Sequence, residues 1–392
     1  MNILFLLKSF STGGLEVVSQ VLANEFIKHG HNVSFFIMRI EKYDVLDKLE
    51  TGIKVFKTES YGLTTNNIKC LRKVLIDNSI QVIINQWGLP FIPVVLARMT
   101  SKNLNIKIIS IHHNSPDANG RLQKIKDIHI KSQFRIGKII SDLRYKIVEI
   151  LTSTSMRYVY NNSDLYMVLS PSFVEKFKSF TGIKNPARLV VQTNPVTVDA
   201  SGYVYSKKNK IKEIIYVGRI DYNQKRVYRV IDTWALLEDR FPDWRLTIVG
   251  DGPDRMNIEK KVQETGLQRV SFEGFQRPEK YYERASLLVL TSEYEGFPLV
   301  LAECMSYGVV PVVYGSYSAV YDIVKSGENG IVVEPDSGKF IKYKMVGALS
   351  CLMQDAELMN MMAINAIATS KDYSLDTVYD SWNRIFSKLI KD

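Results

Sequence analysis

The chain has 392 residues, 46% of them hydrophobic and 23% charged, and a formal net charge of +10. Its composition is that of an ordinary globular protein. No apolar run reaches the roughly 20 residues a membrane-crossing helix requires, which excludes an integral helical membrane protein. A single core stops growing near roughly 250–300 residues, so the length points to two domains of nearly equal size.

In chain order, the opening Met-Asn-Ile-Leu-Phe-Leu-Leu lacks a basic leader and meets Lys8 at once, which reads as a buried first strand rather than a signal peptide. Further strands are predicted at 32–38, 80–86, 106–112 and 165–170. Helices fall between them, such as Leu15–His29 and Ile68–Asp77. Residues 121–158 read as one long helix with nine basic residues (Arg121, Lys124, Lys126, Lys131, Arg135, Lys138, Arg144, Lys146, Arg157) against Asp127, Asp142 and Glu149. A basic amphipathic surface for an anionic membrane and a crossover helix packed on the sheet both predict that periodicity. The second half carries strands at 212–218, 245–250, 269–273, 286–291, 309–314 and 330–334, with helices from about Lys225, Pro253, Glu279, Pro298 and Ser318. After about residue 337 the pattern is all helix, ending in Leu375–Ile390.

Strands alternating with helices signal βαβ units, hence an α/β protein of two doubly wound parallel sheets. Asn194-Pro195-Val196-Thr197, followed by the polar run from Ser206 to Lys210, has the composition of a linker. The expected domains are therefore 1–195 and 196–370, with a helix at 371–392 returning to the first. Cys70, Cys304 and Cys351 lie far apart inside apolar helical patterns and read as buried free thiols of a reducing cytoplasm. The positive charge alone leaves nucleic acid, an anionic membrane face and phosphorylated substrates open.

Four constellations carry chemistry. Ser11-Thr12-Gly13-Gly14 stands between a strand and a helix, where glycines admit an anion to the helix start, although a tight turn would explain the pair as well. Gly218-Arg219-Ile220, with Lys225 and Arg226 behind it, ends a strand where open α/β sheets bind ligands. Two or three cations there suit a diphosphate. In Glu295-Gly296-Phe297-Pro298-Leu299-Val300-Leu301-Ala302-Glu303, Pro298 opens a helix whose Leu299 and Val300 N–H groups are expected free for a phosphate. Glu303, one turn on, suits a vicinal diol, and Glu295 the sugar half of a ligand. His112-His113-Asn114 ends a first-half strand, where neighbours face opposite ways and at most one histidine meets a ligand. Gly250-Asp251-Gly252-Pro253 and Gly274-Phe275 are further strand-end turns, the latter able to offer a ring to a base.

Together these motifs resemble glycosyltransferase family 4, over nearly the whole chain and most closely from Tyr216 to Glu334. The resemblance implies the GT-B fold, two Rossmann-like domains facing a cleft, and retaining transfer of a hexosyl-type sugar from a nucleotide-diphosphate donor. It also implies a saccharide or lipid-linked acceptor, as in bacterial enzymes that build capsule or lipopolysaccharide. Arg219 and Lys225, with Gly14 and the N–H groups of Leu299 and Val300, would hold the diphosphate. Glu303 would bind the ribose, and Glu295, Gly296 and Phe297 the transferred sugar. His113 would stand at the reacting centre, Phe275 and its neighbours would flank the base, and Gly250 would belong to the donor site. Five residues separate Arg219 from Lys225 where the family commonly has four, so Lys225 and Arg226 both stay open as phosphate partner.

The chain lacks the Asp-x-Asp motif of the metal-using glycosyltransferase fold, so no metal or cofactor is expected, fixed cations and helix ends doing that work. The expected setting is cytoplasmic, with peripheral attachment to the inner membrane face through 121–158 as one option. The rival readings are a UDP-sugar epimerase or phosphorylase of the same fold, and a basic protein that binds nucleic acid or membrane. No stripe of interleaved aromatics or known reader module supports nucleic acid as the partner.

Overall fold

The computed structural model describes residues 1–10, 13–39, 52–132 and 134–391. Ser11 and Thr12, and the side chains of Lys131 and Arg135, lie outside that description. The chain divides into two compact units, Met1–Thr197 with Leu375–Asp392, and Val198–Ser374.

Unit 1 runs β1 (Asn2–Leu7), α1 (Gly14–Lys28), β2 (Asn32–Ile37), β3 (Lys54–Lys57), α2 (Thr65–Asp77), β4 (Val82–Asn85), α3 (Phe91–Thr100) and β5 (Lys107–His112). It continues with α4 (Gly120–Lys131), α5 (Arg135–Asn161), β6 (Leu165–Val168), α6 (Phe173–Thr181) and β7 (Leu189–Val191). Its seven strands lie in the order β3-β2-β1-β4-β5-β6-β7, every pair parallel. A parallel sheet covered on both faces needs apolar residues on both, which is why Ile3–Leu7 is a continuous apolar run and wholly buried. The short strands β3 and β7 flank the sheet and are not in the sequence reading. Edge strands bury little, and their residues are half-buried or exposed.

Unit 2 runs β8 (Ile211–Val217), α7 (Val227–Trp234), β9 (Arg245–Val249), α8 (Arg255–Glu264), β10 (Val270–Gly274), α9 (Glu279–Arg284) and β11 (Ala285–Leu290). Then come α10 (Leu299–Ser306), β12 (Val310–Tyr314), α11 (Ala319–Ile323), β13 (Ile331–Val333), α12 (Lys342–Gln354) and α13 (Ala356–Ser370). The strand order is β10-β9-β8-β11-β12-β13, again with every pair parallel. In both sheets the order reverses beside the first strand, at β1/β4 and at β8/β11, and that switch point opens a crevice at the carboxyl ends of the strands. The last helix, α14 (Leu375–Lys391), belongs to unit 1. Phe26 of α1 meets the rings of Trp382 and Phe386 edge-on, with centroids 5.7 and 5.4 Å away.

Two sequence expectations need correction. Residues 121–158 form two helices, because the chain turns extended at Ser132 and Phe134. The apolar period runs on through that break, so the sequence shows none. The hairpin is pinned by His129 Nδ1, 3.0 Å from Ser141 Oγ and 2.9 Å from Asp142 Oδ1. Of the three cysteines only Cys304 is buried, while Cys70 is half-buried and Cys351 exposed, since each helix turns one face outward.

Candidate active site

In unit 2 the loops after β8 and β11 meet at the switch point. Glu293 N–H donates to Gln224 O at 2.7 Å, and Gln224 Nε2 donates to Tyr294 O at 3.2 Å. Asp221 shapes the first loop. Its carboxylate accepts from Gln224 N–H at 2.6 Å and from Arg219 Nη2 at 3.0 Å, a side-chain-to-backbone turn of the kind Asp favours. Neither Asp221 nor Gln224 was singled out in the sequence. An Asp three residues before a turn's end was the available signal.

That geometry separates the two neighbouring cations. Lys225 Nζ sits 2.6 Å from Glu295 Oε1, both side chains largely withdrawn from water. Gln224 Nε2 reaches the other Glu295 oxygen at 3.3 Å. Arg226, in the left-handed conformation at φ 55°, turns away. Its guanidinium is buried 3.6 Å from Glu293, over the Tyr222 ring. Arg219 is different again, for its guanidinium is mostly exposed.

The strand-end glycines explain how tightly this edge is built. Gly218 N–H donates to Val249 O at 3.0 Å, and Gly250 N–H to Gly274 O at 2.8 Å. A Cβ on Gly250, where φ is +145°, would lie 1.9 Å from Gly218 O, and one on Gly252 would lie 2.2 Å from Ile220 O. Glycine is required here for backbone to pass backbone. Phe275, just beyond Gly274, is 71% exposed.

Glu295 leads into α10. Among the described residues Val300 N–H makes no main-chain hydrogen bond, but Leu299 N–H donates to Phe297 O at 2.9 Å. The expectation that both groups stand free is thus corrected: Pro298, at ψ 84°, folds the chain back into a tight turn that consumes the first of them. The Phe297 ring points into the unit. It is buried against Tyr373 at a centroid distance of 5.2 Å, so this residue can offer a ligand its main chain but not its ring. Glu303 is buried one turn into α10 and accepts from Tyr282 Oη at 3.1 Å. Gly296 lies in the loop between Glu295 and α10.

In unit 1, Gly14 is the first, exposed residue of α1 and Gly13 its cap. The Glu16 carboxylate folds back over this helix start, 2.7 Å from where a Gly13 Cβ would stand. An acid in the first turn is favoured by the dipole, so an anion there shares the positive end with it.

At the end of β5 the two histidines diverge. His112 is buried with Nε2 3.5 Å from Ser115 O, whereas His113 Nε2 lies 2.6 Å from Gln86 Oε1 at the end of β4. Burial pushes His112 down to about 4 and His113 down to about 3, so both rings are neutral at physiological pH. Gln86 Nε2 and Trp87 Nε1 are buried without a hydrogen-bond partner among the described residues. Lys8 lies over the Tyr61 and Trp87 rings at 4.9 and 5.3 Å. The sequence reading missed Gln86, Trp87, Lys8 and Tyr61. Only the strand order, which sets β4 between β1 and β5, gathers them.

Solved structures share this architecture. A structure of Anabaena HepE in complex with UDP and glucose superposes with a TM-score of 0.75 at 16% identity, covering 99% of each chain. The fold is thus GT-B. Residues 204–368 match the family model described as glycosyl transferases group 1, and residues 12–200 match glycosyltransferase family 4. The chain belongs to these glycosyltransferases. An uncharacterized glycosyltransferase of Haemophilus influenzae is 26% identical over 97% of this chain and 98% of its own length. A Campylobacter jejuni alpha-1,4-N-acetyl-D-galactosaminyltransferase, named for a diNAcBac-PP-undecaprenol saccharide, is 24% identical over 99% of each chain.

Proposed function

We propose that the chain transfers a hexosyl-type sugar, with retention, from a nucleotide-diphosphate donor to a saccharide or lipid-linked acceptor in cell-surface polysaccharide synthesis. The observation that carries this is the β8/β11 switch point. There a largely buried lysine–glutamate pair, an exposed arginine and the start of α10 stand on two loops bonded to each other. In this reading Arg219 and Lys225 neutralise the donor diphosphate, with Val300 N–H beside them, and Gly14 at the start of α1 is the anion-binding group that unit 1 contributes. Lys225 is favoured over Arg226, whose charge is already buried against Glu293. Glu303 accepts from the ribose hydroxyls. Glu295 and the main chain of Gly296 and Phe297 hold the sugar, Phe275 flanks the base beside the Gly250 turn, and His113 stands by the reacting carbon as a neutral imidazole whose one N–H is donated to Gln86 Oε1.

As the bond from the anomeric carbon to the diphosphate oxygen breaks, charge collects on that oxygen, and stabilising it is the largest catalytic term. The same oxygen then takes the acceptor hydroxyl's proton on the face it leaves. Fixed cations serve this step without a divalent ion, so excess chelator should leave the rate unchanged. One relative, the Campylobacter jejuni enzyme, is named for an undecaprenol-linked acceptor, which supports a reading in which the chain works in the cytoplasm at a membrane-borne lipid.

A melting-temperature screen over UDP-, GDP- and ADP-sugars tests the donor half, since a ligand that binds the folded chain must raise the midpoint. One sugar nucleotide should raise it and Arg219→Ala should abolish the rise; no response to any of them sinks the reading. Family membership favours transfer over epimerisation, and incubation with UDP-GlcNAc alone, without acceptor, should give no epimer.

A further inference from the structure

The α4–α5 hairpin carries an apolar face that nothing in the described chain covers. Ile136, Ile139, Ile140, Leu143, Ile147 and Leu151 recur at helical spacing along α5, and all are exposed, Ile136 at 73% and Leu151 at 64%. At about 1.5 Å per residue the stripe runs for roughly 22 Å. Phe134, 78% exposed at the turn, and Ile130 extend it to the tip. A contiguous apolar surface of this length is rare on a soluble protein and marks an interaction site.

Contacts with α4 fix its direction. Ser141 and Asp142 face His129, and Tyr145 lies under Lys126 at 5.4 Å, so the stripe is on the opposite side of α5. Arg144 follows Leu143 and Lys146 precedes Ile147, which places one exposed cation on each flank. The acids Asp142 and Glu149 fall on the back. An apolar floor edged by cations and backed by acids is the charge pattern of a helix lying in an anionic lipid interface, the basic side chains reaching up to headgroup phosphates. A second copy fits less well, because pairing two such stripes sets these cations against each other. No described helix is long and apolar enough to cross a membrane.

We infer that the α4–α5 hairpin docks the enzyme on an anionic phospholipid bilayer, with the Ile136–Leu151 stripe immersed in the interface and Arg144 and Lys146 on headgroup phosphates. The inference deepens the membrane-side half of the proposed function. The full chain should be sedimented with vesicles of phosphatidylcholine alone and of phosphatidylcholine with phosphatidylglycerol at about 3:1. It should bind the anionic vesicles at least about tenfold more tightly, with a steep fall in high salt. Leu143→Asp with Ile147→Asp should reduce binding at least about tenfold, and Arg144→Glu with Lys146→Glu should remove the preference for anionic lipid. Leu143→Trp should shift its emission to the blue on those vesicles and be quenched by brominated acyl chains. Unchanged vesicle binding by the Asp variant, no binding by wild type, or a dimer in solution that the Asp variant dissolves would each overturn the proposal. Nucleotide-sugar melting shifts are read on the same samples. No docking by wild type, or unchanged docking by the Asp variant, with those shifts intact therefore refutes the hairpin's role alone, whereas absence of the shifts refutes the transferase site.

Discussion

Lys225 and Glu295 are 2.6 Å apart and mostly out of water, so each is the other's counter-ion. Removing one partner of such a pair strands the other charge. Glu295→Ala should therefore lower stability by about 3 kcal/mol in urea unfolding and cut turnover at least about a hundredfold. Replacing both, Lys225→Met with Glu295→Leu, should recover stability but not turnover; equal stability in single and double variants would show that the pair is solvated. On the proposed role of His113, Gln86 is the group that aims its ring. Gln86→Leu should lower kcat about tenfold with little change in donor KM, and an unaltered kcat would free His113 from that control. The sequence made Glu295 and Glu303 legible because both belong to one short segment around a helix start. It could not show that Leu299 N–H is spent on Phe297 O, since that depends on how far Pro298 bends the chain.

Elements carry a second layer of constraint. The three strand ends at Gly218, Gly250 and Gly274 are laced by main-chain hydrogen bonds, and Gly250 at φ +145° has Gly218 O where its side chain would be. Gly250→Ala should cost about 3 kcal/mol, from strain and displaced backbone together, read as a lower melting temperature. A neutral result would mean the two loops slide apart freely. At the hairpin, Asn119 caps α4 by accepting from the N–H groups of Arg121 and Leu122 at 3.0 and 3.1 Å. Element identity was readable from the apolar period, and β1, β5 and α14 were expected close to where they stand. The break at Ser132–Phe134 was not, because the apolar spacing runs straight through it. Edge strands β3 and β7 escaped for the converse reason, having too little burial to impose a period.

For the whole molecule, part of the acid sensitivity follows from the two imidazoles at the end of β5, with His31, also pushed down to about 4, adding to it. Burial holds His112 at about 4 and His113 at about 3, below the roughly 6.5 of an unfolded chain. Above about pH 6.5 neither state binds the proton and the terms vanish. As pH falls below that value the unfolded chain takes up protons the folded one refuses, so stability is lost down to the folded values. Each histidine contributes at most about 1.4 kcal/mol per pH unit. His112→Asn should flatten the drop in unfolding free energy between pH 7 and pH 5, and an identical slope in the variant would place the acid sensitivity elsewhere. Truncation before Leu375 should likewise loosen unit 1, because Trp382 and Phe386 are what cover Phe26.

The order of apolar and polar residues was enough to determine two parallel α/β units and the strand ends that bear Arg219, Glu295 and His113, since periodicity and turn chemistry are local properties. Which charges meet was decided only by the tertiary structure. Lys225 faces Glu295 while its neighbour Arg226 faces Glu293, because one left-handed residue sends adjacent side chains to opposite sides. Gln86 meets His113 because β4 lies beside β5, and the hairpin stripe faces outward because α4 occupies the other side of α5. Pairings of this kind join residues distant in the chain, and a linear pattern holds no measure of distance between them.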